Sequence, residues 1–334
     1  MQHQKTFDVN SFVPLALRLV VGWTYFSAFW RRLILENKLI PEEAGYIGEK
    51  FNHFLPNALG IKPVIEYLVT HPDALWINMV AFTIIEGIVG LAIMLGFFTR
   101  LMSIGIFLLA LGILLASGWI GTTCLDEWQI GILGLASGFT LFLSGSTYLS
   151  LDGYFIAKKA RFTQTKWFRL LGSGELNLAS YKPLLLVGAF SIFGLTLFTN
   201  QYFHGGVFGT LHNKSVKPKL EISNLKIDGN ELIFDVFRVE GVDVYGSFLI
   251  GISVKNESGK YLLQLDGNDL AKLSPKTISN YYVAKVKPGV HSLVIPLGAK
   301  ATIRIPIENK WAFQKSAYTL TLTDISGLTW TESL

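Results

Sequence analysis

The sequence is poor in cysteine, in charge and in histidine, and each shortage excludes something. One cysteine, Cys124, in 334 residues excludes an internal disulfide and every cysteine-rich zinc or iron–sulfur framework. Charged residues make up 16% of the chain, against about 25% in soluble domains, which argues against one ordinary soluble globule. Half of the residues are hydrophobic, so disorder, collagen and coiled coil are excluded as well. The histidines are His3, His53, His71, His204, His212 and His291. None falls within the expected spans described next, so a haem held by paired intramembrane imidazoles is not expected. Residues 205–334 hold no Gly-rich phosphate loop and no metal-ligand spacing, and the chain shows no internal repeat and no low-complexity stretch. No bound metal, haem or flavin is evident from the sequence.

What the chain has instead is long apolar runs, with a mean hydropathy of +0.41. A helix needs roughly 20 mostly apolar residues to cross the hydrocarbon core, and the windows 12–34, 75–97, 101–120, 129–149 and 182–199 meet that need. The first starts late and lacks a small-residue cleavage site, so it is expected to be retained as a span. The formal charge of +5 reads as topology, and no nucleic-acid partner is expected. Lys158, Lys159, Arg161, Lys166, Arg169 and Lys182 face only Asp152 and Glu175 between spans four and five, the mark of a cytoplasmic loop. Six acids against three lysines in 36–74 fit the opposite side. Five crossings put the N-terminus in the cytoplasm and everything after about residue 200 outside, in a multi-pass protein of the cell membrane. Arg31 and Arg32 break the rule at the outer end of span one, and an anion site is a reason for such a violation.

From 205 to 334 the pattern changes. Segments such as Glu231–Arg238, Tyr245–Val254, His291–Pro296 and Ala301–Pro306 cluster or alternate β-branched and aromatic residues, and Asp228-Gly229-Asn230 and Lys287-Pro288-Gly289 punctuate them. Seven or eight short strands suggest a small β-sandwich. The expected architecture is thus an α-helical membrane bundle followed by an all-β, sandwich-like extracytoplasmic domain. The expected divisions are a transmembrane domain 1–150, a basic linker 151–181, and 182–334 comprising a span and the β region.

Ionisable groups at membrane depth are expensive and read as functional by default. Arg18 lies about 9 Å into span one, at 1.5 Å per residue, and Glu86 lies near the middle of span two. Arg18, Tyr25 and Arg32 share a face at heptad spacing, with Gly22 and Phe29 between. Two readings stand side by side: a buried Arg18–Glu86 pair that only fixes packing, or a carboxylate that handles protons. In the outer turn, Cys124, Asp126, Glu127 and Trp128 fall within five residues. The acids suit a helix N-terminus and Trp128 an interface anchor, whereas Cys124 beside that terminus is a candidate thiolate. Gly131, Gly134 and Gly138 give span four a small-residue packing face. The loop 36–74, with His53 and His71, is expected to lie on the membrane as a lid.

These residues resemble a known family. Arg18, Gly22 to Ala28, the pair Arg31-Arg32, Glu86-Gly87, Leu95 to Arg100 and Cys124 to Gln129 are similar to DoxD, a subunit of thiosulfate:quinone oxidoreductase within the wider DoxX-like four-helix membrane family. Asn200 to Gly206, Leu211 to Asn213, Arg238 to Phe248 and His291 to Gly298 resemble its companion DoxA. The pattern is that of a fusion, with the fifth span as DoxA's anchor.

The resemblance implies oxidation of thiosulfate to tetrathionate at the outer face, with membrane quinone as electron acceptor. Arg31 and Arg32 are the expected thiosulfate ligands, since a small dianion calls for planar guanidinium donors. Cys124 is a candidate to hold sulfane sulfur, and Glu86, Asp126 and Glu127 to move protons. Arg18, Trp23, Tyr25 and Trp128 are expected around the quinone. Membrane lipid, thiosulfate and quinone are the expected partners, and homo-oligomerisation stays open. The alternatives are an accessory subunit of a terminal quinol oxidase and a non-catalytic membrane assembly module.

Overall fold

Pro14, whose ring presets a helical φ and whose missing N–H is one the first turn leaves unused, opens helix α1 (Pro14–Phe29). The helix runs straight on into a π-helical stretch, Trp30–Leu35. The computed structural model describes residues 12–41, 43, 45–121, 126–176, 179–242, 247–307 and 317–333. Next come α2 (Ile47–His53), α3 (Lys62–Thr70), α4 (Pro72–Leu95), α5 (Thr99–Ser117), α6 (Asp126–Ser144), α7 (Leu151–Ala157), α8 (Lys166–Leu171) and α9 (Lys182–His204). Three of these, α4, α5 and α9, are long and apolar enough to cross a membrane among the described residues. The helix α1 has 16 residues before the π-helical stretch, and Asp126, Glu127 and Gln129 dilute the apolar content of α6. Helix α9, at the fifth expected span, extends five residues beyond its expected end and takes in His204. This corrects the reading of that histidine as lying beyond the apolar helices.

The chain divides into two compact units that are not contiguous in sequence. The first draws its described residues from 12–44, 77–118 and 126–212, the second from 45–76, 119–121 and 213–333. In the first, α5 and α6 pack along the glycine face: a side chain at Gly131 would meet Leu114, one at Gly134 would meet Ala110, and one at Gly138 the backbone of Phe107. The small residues therefore do pack helices, as small-residue faces in membranes do. Tyr25, Val89, Ile93, Ile106, Leu109 and Leu141 form the core between α1, α4, α5 and α6. Helix α9 leaves Leu184, Val187, Phe190, Phe193 and Phe198 exposed, an apolar surface suited to lipid rather than water.

In the second unit, strands β1 (Lys219–Asp228), β2 (Glu231–Glu240), β3 (Ser247–Asn256), β4 (Tyr261–Asp266), β5 (Ile278–Asn280), β6 (Lys287–Pro288), β7 (Leu293–Ile295), β8 (Lys300–Pro306), β9 (Tyr318–Asp324) and β10 (Thr329–Ser333) form two antiparallel sheets. One has the order β1-β2-β8-β5, the other β10-β9-β3-β7-β6 with β4 also on β3. Period-2 burial in β8 and β9 turns Ile303, Ile305, Leu320 and Leu322 into a core shared with Phe234, Ile252 and Val254. Arg238 is buried and spends its guanidinium on the carbonyls of Ile295 and Val242, at 3.1 and 2.7 Å.

The segment 45–76 folds with these sheets. Asn52, fully buried, donates to the Gly298 carbonyl at 2.6 Å, and Asn57 donates to that of Val239 at 2.9 Å. Val283 N–H donates to the Val69 carbonyl at 3.2 Å, and the Tyr282 hydroxyl to Glu66 at 3.0 Å. Burial and that carboxylate push the Tyr282 phenol upward. Segment 45–76 is thus built onto the β unit and is no free-standing lid. Gly298 has φ +74° and its missing Cβ would collide with the Asn52 backbone oxygen, so both conformation and space demand glycine. Gly298→Ala should lower the stability of this unit by about 1–3 kcal/mol, read as an earlier transition in thermal unfolding of the full chain.

Candidate functional site

The first helical unit brings an arginine and a carboxylate together because glycines let two helices touch. A Cβ at Gly22 would meet Gly90 O at 2.8 Å, one at Gly90 would strike the Phe26 backbone, and one at Gly87 would enter the Phe29 ring. With α1 and α4 this close, Arg32 Nη1 donates to Glu86 Oε2 at 2.6 Å and to Thr83 Oγ1 at 3.1 Å. The Phe82 ring lies 5.8 Å from the guanidinium. Glu86 is 3% exposed and Thr83 is fully buried. The short charge-assisted contact is what makes a carboxylate tolerable in apolar surroundings. Tyr25, also buried, has a hydroxyl with no partner among the described residues. It lies against Gly134, where a Cβ would come within 2.8 Å of the oxygen. Arg32, Glu86 and Thr83 make a hydrogen-bonded polar centre in an apolar bundle, able to hold and release a proton, and the Tyr25 hydroxyl, buried in the same bundle, can hydrogen-bond a carbonyl.

The other expected site residues sit as follows. Glu86 pairs with Arg32, so the Arg18–Glu86 pair is not formed. Arg18, 1% exposed, turns to the other end of the bundle. There it donates to Ser146 Oγ and to the carbonyls of Leu149 at 2.6 Å and Tyr148 at 3.4 Å. Arg31 is exposed, with Nε on the Ser27 carbonyl at 3.2 Å. Trp23 is 56% exposed and faces outward from the bundle. Trp128 is buried, its indole N–H donating to Thr199 Oγ1 at 2.9 Å and its ring edge-on to His204 at 6.5 Å. Its expected role as an interface anchor gives way to packing of α6 on α9. Asp126 and Glu127 occupy the first turn of α6, where the helix dipole favours them. Cys124 lies outside the described residues.

The family model for DoxD, described as the TQO small subunit DoxD, matches residues 13–179, and that for DoxA, the TQO small subunit DoxA, matches 203–333. TQO denotes thiosulfate:quinone oxidoreductase. The chain belongs to the DoxD family. It carries a DoxA region in the same polypeptide, as the resemblance had implied. The DoxD match covers the whole polar centre, and the DoxA match begins at Phe203, beside His204.

Within this DoxD region the sequence reading missed a second buried cluster, around Asp152. Fully buried, Asp152 accepts from Phe98 N–H at 2.9 Å, Thr99 N–H and Thr99 Oγ1 at 3.0 Å each, and Ser173 Oγ at 2.7 Å. Arg100 donates to the carbonyls of Phe142, Arg169, Gly172 and Gly174 at 2.7–3.0 Å. The Gly96 to Arg100 motif is therefore structural. Gly96 ends α4 at φ +62° and Phe98 is left-handed at φ 46°, a strained turn that Asp152 holds by its two free N–H groups. The depletion of acids around Asp152 was the available signal. His204, also missed, is fully buried with Nε2 on the Gly118 carbonyl at 3.0 Å. Its Nδ1 has no partner among the described residues.

Removing only one member of the polar centre strands a charge. Glu86→Leu should cost about 3–5 kcal/mol, and Arg32→Leu/Glu86→Leu much less, compared by thermal unfolding of the purified full chain. Equal losses would show that the pair carries no stabilising partnership.

Proposed function

We propose that the chain is a membrane thiosulfate:quinone oxidoreductase in which both small subunits are one polypeptide. Two thiosulfate dianions join through their sulfane sulfurs to give tetrathionate and release two electrons. One quinone takes up those electrons and two protons. The observation that carries this reading is the consecutive match of both TQO small-subunit families along a single chain.

All five helices cross the cell membrane in this reading, with the N-terminus in the cytoplasm and the β unit outside. The five long helices and the basic segment 151–182 support it. The Glu86 carboxylate takes up a proton from water and passes it to the reduced quinone oxygen, and Arg32 balances the carboxylate that is restored, as a general acid with a fixed counter-charge does. Tyr25 donates its unpaired hydroxyl hydrogen to a quinone carbonyl. With Arg32 engaged by Glu86, Arg31 becomes the thiosulfate ligand, its guanidinium exposed at the same helix end. The Cys124 thiolate bonds the sulfane sulfur of one thiosulfate as the quinone takes the two electrons, and the second thiosulfate displaces that thiolate to give tetrathionate; Asp126 and Glu127 relay protons nearby, and Trp128 keeps its packing role. Arg18 and Trp23 take no part: one is committed to backbone carbonyls, the other faces away from the bundle.

The test is thiosulfate-dependent reduction of a soluble quinone analogue by the purified full chain. Wild type should turn over. Glu86→Gln should lower kcat by roughly 100-fold, the usual scale for loss of a general acid, while Arg31→Ala should raise the KM for thiosulfate. Normal turnover in either variant removes that residue from the site. Normal turnover in Cys124→Ser excludes covalent sulfur chemistry there, and an inactive, well-folded wild type overturns the enzyme reading.

A further inference from the structure

We propose that residues 148–170 form a preorganised docking platform for the headgroups of anionic phospholipids. In this stretch Lys158, Lys159, Arg161, Lys166 and Arg169 are all exposed. No carboxylate pairs with any of them among the described residues: the ion pairs found there are Arg32–Glu86 and Lys38–Glu36. Asp152, the one acid within 148–170, is fully buried and bound by four donors, so it offers the surface no accessible carboxylate; the exposed Glu175 lies beyond the stretch. The surface is more basic than the composition of the segment states.

Apolar side chains are interleaved with those cations. Leu149 is 69% exposed, Tyr154 56%, Trp167 48% and Leu170 52%, and Lys158 lies 5.9 Å over the Tyr154 ring. Amphipathic aromatics beside lysine and arginine suit the boundary between headgroup and acyl chain, where rings sit among glycerol groups and cations meet phosphates. A soluble acidic protein would satisfy the cations and leave these apolar groups in water, so charge and hydrophobicity together select lipid.

The segment is also held in one arrangement. Trp167 stacks on Phe98 with centroids 5.6 Å apart and planes 10° from parallel, and the buried Phe168 meets Phe98 and Phe162 edge-on at 5.7 and 5.4 Å. Arg100 grips the carbonyls of Arg169, Gly172 and Gly174 from within the bundle. Thr165 caps α8 through the Phe168 N–H. Ordering a loose polybasic loop would cost conformational entropy on binding, and a fixed one avoids that cost.

The experiment uses the purified full chain, delipidated in detergent and incubated with phosphatidylglycerol or phosphatidylcholine, the retained lipid being quantified by mass. Wild type should retain phosphatidylglycerol on the order of tenfold over phosphatidylcholine at low salt and lose that preference in 1 M salt. Lys158→Gln/Arg161→Gln/Lys166→Gln/Arg169→Gln should abolish the preference, and the milder Lys158→Gln/Lys166→Gln should at least halve it. Lys217→Gln/Lys219→Gln/Lys260→Gln/Lys276→Gln, which removes as much charge from the β unit, should leave it intact. Equal retention of the two lipids by wild type, or an undiminished preference in both platform variants, overturns the proposal. So does full competition by free glycerol phosphate at matched concentration, which would assign the surface to soluble phosphate.

Discussion

A guanidinium in an apolar bundle must have its charge and its donors answered, and that constraint organises the helical unit. Three arginines enter it and are answered in two ways. Arg18 and Arg100 use backbone carbonyls that the ends of helices leave unpaired, so the charge becomes a clasp on chain turns. Arg32, partly exposed, uses the buried carboxylate of Glu86. Carbonyl-bound arginines can do little except hold structure. A carboxylate–arginine pair has two protonation states, so among the described residues of the unit Glu86 with Arg32 is a place where a proton can be held and released.

The same arithmetic separates what the sequence discloses from what it hides. Apolar runs and strand alternation depend on period and composition, so all five long helices and the two-sheet domain were legible. Gly131, Gly134 and Gly138 read correctly as packing because their spacing alone sets them on one face. Pairing was not legible: Arg18 and Arg32 both share the heptad stripe with Tyr25, and periodicity cannot tell which meets Glu86. The answer depends on axial offset. Contact of α1 with α4 through Gly22, Gly87 and Gly90 brings Glu86 to Arg32, leaving Arg18 near the opposite turn. Asp152 was hidden for another reason. Counted as one negative charge in a basic loop, it is in fact a cap for a left-handed turn 53 residues earlier in the chain.

The partition of the chain shows what fusion accomplishes physically. The DoxD match runs from 13 to 179, yet its residues 45–76 fold with the sheets of the DoxA match. They do so through Asn52, Asn57, Glu66 and Val69. Trp119 and Gly121 belong to the same unit, with Trp119 donating to the Phe54 carbonyl and Gly121 N–H to Ser215 Oγ at 3.2 Å. The boundary between families in sequence is therefore not a boundary in space. Were the two regions separate polypeptides, forming these contacts would cost the translational and rotational freedom of one partner, of order 4–15 kcal/mol. On one chain the encounter is intramolecular, at an effective concentration set by the connection between the two matches. Buried polar contacts such as Asn52 with Gly298 can then specify the fit without also having to supply the affinity for assembly, because the peptide bond has already supplied it.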